Sequence, residues 1–123
     1  MKQPYVLAVT GGRNYSDTGY LKQVLDVIHA DRHIDVLVQG GATGADLLSK
    51  QWAIKNLVQV CEFKVEPSQW RTSKSSGPVR NSLMLATCRI DVLVAFPGGR
   101  GTTDCVDKAT PRIALIDLRG TAK

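Results

Sequence analysis

The sequence predicts a parallel α/β fold built on a five-stranded sheet with helical, right-handed crossovers. Three observations carry that expectation. Short apolar runs of strand length alternate with amphipathic stretches of helix length. The first and fourth runs are apolar at nearly every position, as strands covered on both faces are. Glycine-rich turns directly follow the first, second and fourth runs.

Tyr5 to Val9 reads as the first strand, stopped by Gly11-Gly12. Ser16 or Asp17 then offers an N-cap, and Leu21, Val24, Leu25 and Ile28 recur at i, i+3, i+4, i+7 as one face of a helix. Val36 to Val38 is the second strand and Gly40-Gly41 ends it; a helix from Ala45 to Asn56 places Leu48 and Trp52 inward. Val58 to Val65 carries Glu62 and Lys64, which puts this third strand at a sheet edge. Residues 66–77 form the longest irregular segment, where Trp70 is either a loop anchor or a lid. Pro78 suits the first turn of a helix that continues through Asn81 to Thr87. Val92 to Phe96 is the fourth strand, Thr102 to Ala109 the next helix, and Ile113 to Ile116 the fifth strand.

The edge character of the third strand and the apolar character of the first and fourth predict the order 3-2-1-4-5. Ligands of open α/β sheets sit beyond the carboxyl ends of the strands where such an order reverses. The length, 123 residues, fits one domain over 1–117 and a short tail over 118–123. Charged residues make up 22% and hydrophobic ones 43%, which excludes a disordered chain, and no apolar run approaches the roughly 20 residues of a membrane span. Met1 to Pro4 leads straight into the first strand, so a cytoplasmic protein is expected. Cys61, Cys88 and Cys105 stand far apart in sequence, an odd number without a C-x-x-C pair, which argues against a disulfide framework or a zinc ribbon. His29 and His33 have no acidic or thiol cluster to complete a metal site and read as solvated helix-end histidines. No cofactor is called for. The net charge of +5 suits an anionic partner without choosing between a nucleotide and a polynucleotide.

An internal echo stands out. Residues 34–38 and 90–94 are both Ile-Asp-Val-Leu-Val, and each leads to a Gly-Gly pair with an aspartate six positions beyond the first glycine, Asp46 and Asp104. Two strand–loop–helix units built alike would put each aspartate in a first helical turn, where the helix dipole favours a carboxylate.

Parallel topology brings the three glycine turns to one sheet edge: Gly11-Gly12-Arg13, Gly40-Gly41-Ala42-Thr43-Gly44, and Gly98-Gly99-Arg100-Gly101-Thr102. Glycine admits close approach of backbone to ligand, and the free N–H groups of a helix start attract anions. Established phosphate fingerprints fail: no Gly-Lys pair supports a P-loop, Asp104 stands where the dinucleotide motif needs its third glycine, and no G-x-S-x-G elbow exists. Nearby, Arg80 suits a bidentate grip on phosphate or carboxylate, or an ordinary surface ion pair. Asn81 follows it. Beyond Arg13 and Asn14, Tyr15 either packs or stacks on a base. Asp46 and Asp104 are by default helix-start carboxylates; the alternative is contact with ribose hydroxyls or acid–base chemistry.

The runs Val9-Thr10-Gly11-Gly12-Arg13-Asn14-Tyr15, Gly40-Gly41-Ala42-Thr43-Gly44-Ala45-Asp46, Trp52-Ala53, Gly77-Pro78 with Arg80-Asn81 and Met84, and Ala95 to Thr102 together resemble the YspA branch, related to YpsA, of the SLOG superfamily. The superfamily also holds the Lonely Guy phosphoribohydrolases and the DprA/Smf proteins. The resemblance implies a Rossmann-like three-layer sandwich, a pocket for nucleotides or nucleotide-derived molecules, a possible homodimer, and an occurrence in bacteria and phages beside defence genes. Lonely Guy enzymes share Pro-Gly-Gly-x-Gly-Thr and an arginine matching Arg80, but carry a catalytic glutamate three residues after the threonine. Cys105 occupies that position here, and Asp104 is one residue early, roughly 100° around a helix. Three expectations follow in order: capture of a nucleotide or ADP-ribose-like molecule for sensing or sequestration; cleavage of an N-glycosidic bond using Arg80 and Asp104 or Asp46; and, less favoured, nucleic-acid binding, since the basic residues form no dense run.

Overall fold

A computed structural model describes residues 3–65 and 76–120. The predicted lid or anchor Trp70 lies outside them. Five strands, β1 (Val6–Thr10), β2 (Val36–Gln39), β3 (Gln59–Glu62), β4 (Val92–Ala95) and β5 (Ala114–Asp117), form one parallel sheet in the order β3-β2-β1-β4-β5. The described helices are α1 (Thr18–Asp31), α2 (Ala45–Lys55), α3 (Ser76–Thr87) and α4 (Arg100–Ala109). This is the Rossmann-like α/β architecture that the sequence predicts.

The two-residue period of the buried strands sorts the core into two layers. From β1 and β4, Leu7, Val9, Val92 and Val94 face Leu21 and Leu25 of α1 and Trp52 and Ala53 of α2, with Phe96 at the end of the strand. The alternate residues Val6, Ala8, Leu93 and Ala95 face Met84 and Leu85 of α3 and Cys105, Val106 and Ala109 of α4. The Trp52 indole N–H donates to Asp26 Oδ1 at 2.8 Å and ties α1 to α2. β3 is a half-exposed edge strand, as Glu62 and Lys64 foretell.

The repeated Ile-Asp-Val-Leu-Val acquires a physical meaning in the sheet. β2 and β4 flank β1, with Val36 opposite Val6 and Val92 opposite Leu7. The Tyr5 N–H donates to Asp35 Oδ2 at 2.7 Å and the Val6 N–H to Asp91 Oδ2 at 2.8 Å. In return the Asp35 N–H donates to Tyr5 O and the Asp91 N–H to Val6 O. Two aspartates thus clamp the entry of β1 from both sides.

The equivalence ends there. α2 begins at Ala45, so Asp46 does lie in a first turn; α4 begins at Arg100, so Asp104 falls beyond it. α4 is capped by the backbone of Gly99 with no side-chain bond, so it starts two residues before the predicted Thr102. Cys61 and Cys88, 27 residues apart in sequence, bring their sulfurs to 4.0 Å at the edge of the α3–α4 core layer. His29 is half-buried rather than simply solvated: its Nδ1 accepts from the Ile34 N–H at 3.0 Å, and its ring contacts His33 and Trp52. Leu118 packs on the core and its N–H donates to Ala95 O. Arg119 folds back on Asp117 through Nε and Nη2.

Candidate functional site

The carboxyl ends of β1, β2 and β4 carry the three glycine turns to one rim, and those turns are bonded to each other. The Gly12 N–H donates to Pro97 O at 2.8 Å, the Ala45 N–H to Gly12 O at 3.2 Å, and Thr43 Oγ1 to Arg13 O at 3.1 Å. Gly44 shows why no side chain serves at the junction. Its φ is +70°, and a Cβ would sit 2.6 Å from the carbonyl carbon and oxygen of Arg13. Several of these glycines therefore admit close packing of one turn on another. Gly99 and Gly101 differ, since a Cβ at either would meet no atom within 4 Å.

The turns enclose a cavity of about 590 Å³ at the reversal between β1 and β4. Of the residues singled out in the sequence, Gly11, Gly12, Arg13, Gly40, Asp46, Arg80, Asn81, Gly99, Arg100, Gly101 and Thr102 line it. Asn14 and Gly98 line an adjoining hollow of about 440 Å³ that shares Gly12, Arg13 and Gly99 with the first. Gly41 and Thr43, with Lys64, line a smaller one of about 220 Å³ on the far side of the β2 turn. Gly44 and Asp104 line none of the three. Val9, Thr10, Ala42, Gly77, Pro78 and Met84 complete the main wall without having been picked as site residues. Gly77-Pro78 was the readable signal, a breaker pair directly before Arg80.

The first N–H groups of α4 face this space with no side-chain cap, in contrast to α1, where Asp17 Oδ1 accepts from the Tyr20 N–H. Arg80, on α3, reaches across the cavity wall. Its Nη1 donates to Gly40 O and, at 3.5 Å, to Phe63 O, while Nε donates to Asn81 Oδ1 at 2.9 Å. A Cβ on Gly40 would stand within 2.5 Å of the guanidinium carbon, so glycine there is what admits Arg80. Buried Asn81 in turn donates through Nδ2 to Gly101 O at 3.2 Å and to Asp104 Oδ2 at 3.1 Å, and Lys108 Nζ pairs with the same oxygen at 3.0 Å. Asp104 thus stands behind Asn81 and orients it; it is held away from the cavity because α4 starts early and turns that position toward α3. On the β2 side, buried Gln39 donates to Glu62 Oε1 at 3.0 Å and accepts from the Gly41 N–H. A polar residue ending an otherwise apolar strand, just before Gly-Gly, was the sequence signal for it.

Asp46 is the carboxylate of the main cavity, 5% exposed. Burial pushes its pKa up to about 6, against the opposing pull of the Ala42 N–H, the Arg80 charge and the Gly40 N–H. The Ala42 N–H lies 3.2 Å from Oδ2. Cys105, in the place of the Lonely Guy glutamate, is fully buried, and burial pushes its thiol up to about 11. Tyr15 packs on Phe96, ring centroids 5.2 Å apart, which favours the packing reading over base stacking. Its hydroxyl is buried without a hydrogen-bond partner among the described residues, and desolvation raises its pKa to about 12.

The comparisons agree with this fold. Residues 5–70 match the family model described as YspA, cpYpsA-related SLOG family. The gene 61 protein of Mycobacterium phage D29 is 33% identical over 109 residues, spanning 82% of this chain and 85% of that protein. Among solved structures, DNA processing protein A (DprA) from Streptococcus pneumoniae superposes with a TM-score of 0.57 at 18% identity, over 94% of this chain and 59% of that one. This chain therefore spans a little over half of that neighbour's length and shares its fold. With more than half its length matched by the family model and with a phage relative aligned over most of both chains, the protein belongs to the YspA, cpYpsA-related SLOG family.

Proposed function

We propose that the chain binds a nucleotide or nucleotide-derived small molecule in the cavity at the β1–β4 reversal, with an anionic phosphate against the start of α4. The observation that carries this reading is the uncapped N-terminus of α4. Its two open glycines face a space of about 590 Å³ that also holds Arg80 and a buried carboxylate. That volume lies within the range of about 300–1,000 Å³ usual for small-molecule sites. Helix N–H groups attract a phosphate, and each dipole adds only about 0.3–1 kcal/mol when exposed, so several donors must act together. Arg13, Arg80 and Arg100 add positive charge along the wall. Binding needs no catalytic base and suits sensing or sequestration.

Hydrolysis of an N-glycosidic bond finds less support. Cys105 is buried where the Lonely Guy glutamate would stand, and Asp104 is engaged by Asn81 and Lys108. Among the described residues of the wall, such chemistry would fall to Asp46.

Gly99→Val tests the site. Gly99 has a negative φ of −104° and free space at its Cβ, so valine finds room there and costs about 1 kcal/mol as a poorer N-cap than glycine. The new side chain fills the space between the two adjoining hollows. Thermal shift with AMP and ADP-ribose is expected to stabilise the wild type, by about 2.7 kcal/mol at 100 times Kd. The variant should lose more than about tenfold in affinity, or ~1.4 kcal/mol. Undiminished affinity in a folded variant would remove the site. Free base appearing in the same mixtures would instead establish the hydrolase. DNA binding that falls steeply with salt would favour a polynucleotide.

A further inference from the structure

We propose that Asp46 recognises a vicinal pair of ligand hydroxyls, the 2′- and 3′-hydroxyls of a ribose, and so makes this cavity selective for ribonucleotides over 2′-deoxyribonucleotides. The inference rests on the binding function proposed above and names the part of the ligand that Asp46 meets.

The described wall of the cavity carries three arginines and a single carboxylate. A phosphate is drawn to the arginines and to the start of α4, and repelled by Asp46. A carboxylate accepts hydrogen bonds, and in a nucleotide the ribose hydroxyls are the donors held at a fixed distance from the phosphate. The acceptor capacity of Asp46 is also incompletely used. An ionised carboxylate offers about four lone-pair positions. Here Oδ2 accepts from the Ala42 N–H at 3.2 Å, and Oδ1 accepts from no described residue. Among the described residues no lysine, arginine or histidine lies within ion-pairing distance of it, Arg80 acting only from further away. A buried carboxylate held this way is costly to the fold unless donors arrive from elsewhere. Its small exposed surface opens on the cavity. Two adjacent hydroxyls span about the width of the two carboxylate oxygens, so one ligand face can meet both.

A loop clamp is the competing role, since Asp46 holds the β2 turn through Ala42. Asp46→Asn separates the two: the amide oxygen still accepts from the Ala42 N–H, while the amide nitrogen replaces an acceptor by a donor. Equilibrium dialysis with the four ribonucleoside 5′-monophosphates and their 2′-deoxy counterparts gives the readout. The wild type is expected to bind the best ribonucleotide at least tenfold more tightly than its deoxy form. Asp46→Asn is expected to bring that ratio to within about threefold through loss of ribonucleotide affinity alone. Equal wild-type affinity for the two forms would overturn the diol assignment and leave the binding function standing. A variant that weakens both forms equally would show a clamp and overturn it too. If neither these nucleotides nor ADP-ribose bound the wild type, the binding function itself would fail, and this inference with it.

Discussion

At the scale of single residues, Asp46 decides how stability follows pH. Its folded pKa of about 6 lies above the ordinary value of 3.8, because burial disfavours the charged form more than Ala42, Arg80 and Gly40 favour it, with Glu62 adding to the rise. The folded state therefore holds this proton more tightly than the unfolded chain does. The contribution to stability is fully present below about pH 3.8 and is lost as pH rises through 6. A shift of that size corresponds to about 3 kcal/mol. Asp46→Asn lacks the loss. Urea denaturation at pH 4.5 and pH 7.5 is expected to move the stability difference toward the variant by about 2 kcal/mol, and a difference that ignores pH would contradict the cause given. Asp46 was legible as a candidate from its place after Gly-Gly. Its isolation as the cavity's carboxylate was not, because Asp104 has the same spacing and only the start of α4 separates the two.

At the scale of elements, the repeated Ile-Asp-Val-Leu-Val predicts a graded response. Asp35 and Asp91 receive the N–H groups of consecutive residues at the entry of β1, but their side chains are 44% and 23% exposed. Water replaces a lost partner more easily at the exposed site. Asp91→Ala is expected to cost about 1–3 kcal/mol and Asp35→Ala about 0.5–1.5, measured by denaturant unfolding. Equal costs would show that the clamps do not depend on burial. The strands and the first two helices were readable because apolar periodicity is a local signal, as is the Asp17 side-chain cap of α1. The start of α4 was not, since a backbone cap at Gly99 leaves no side-chain mark, and the two-residue error moved Asp104 out of the first turn. The approach of Cys61 to Cys88 was equally hidden, being made by β3 and the residue after α3 only when both pack on the sheet.

At the scale of the whole molecule, the sheet order sets a gradient of protection. β1 and β4 are buried along their whole length, whereas β3 and β5 are partly exposed edges. Native-state hydrogen exchange is expected to leave the amides of Leu7, Ala8, Leu93 and Val94 until last, with those of β3 and β5 exchanging orders of magnitude sooner. Uniform protection across the sheet would mean that the edges open only with global unfolding. The same order gathers the rim. Two polar chains, Lys50–Glu62–Gln39 to the Gly41 N–H and Lys108–Asp104–Asn81–Arg80 to Gly40 O, hold the β2 turn from opposite directions.

By itself the amino-acid order determined the strand sequence, the sheet order and the convergence of three glycine turns, because alternation, helical periodicity and turn residues act over a few neighbours and parallel topology puts every strand end on one side. Tertiary structure alone decided what those turns do. Most of their glycines are taken up by contacts between turns and with Arg80, Asp104 is turned away behind Asn81, and Asp46 is left nearly enclosed beside the space at the start of α4. Such choices depend on which atoms meet across 30 to 40 residues of chain, as Arg13 with Thr43 and Arg80 with Gly40 do, and no local pattern encodes a meeting at that range.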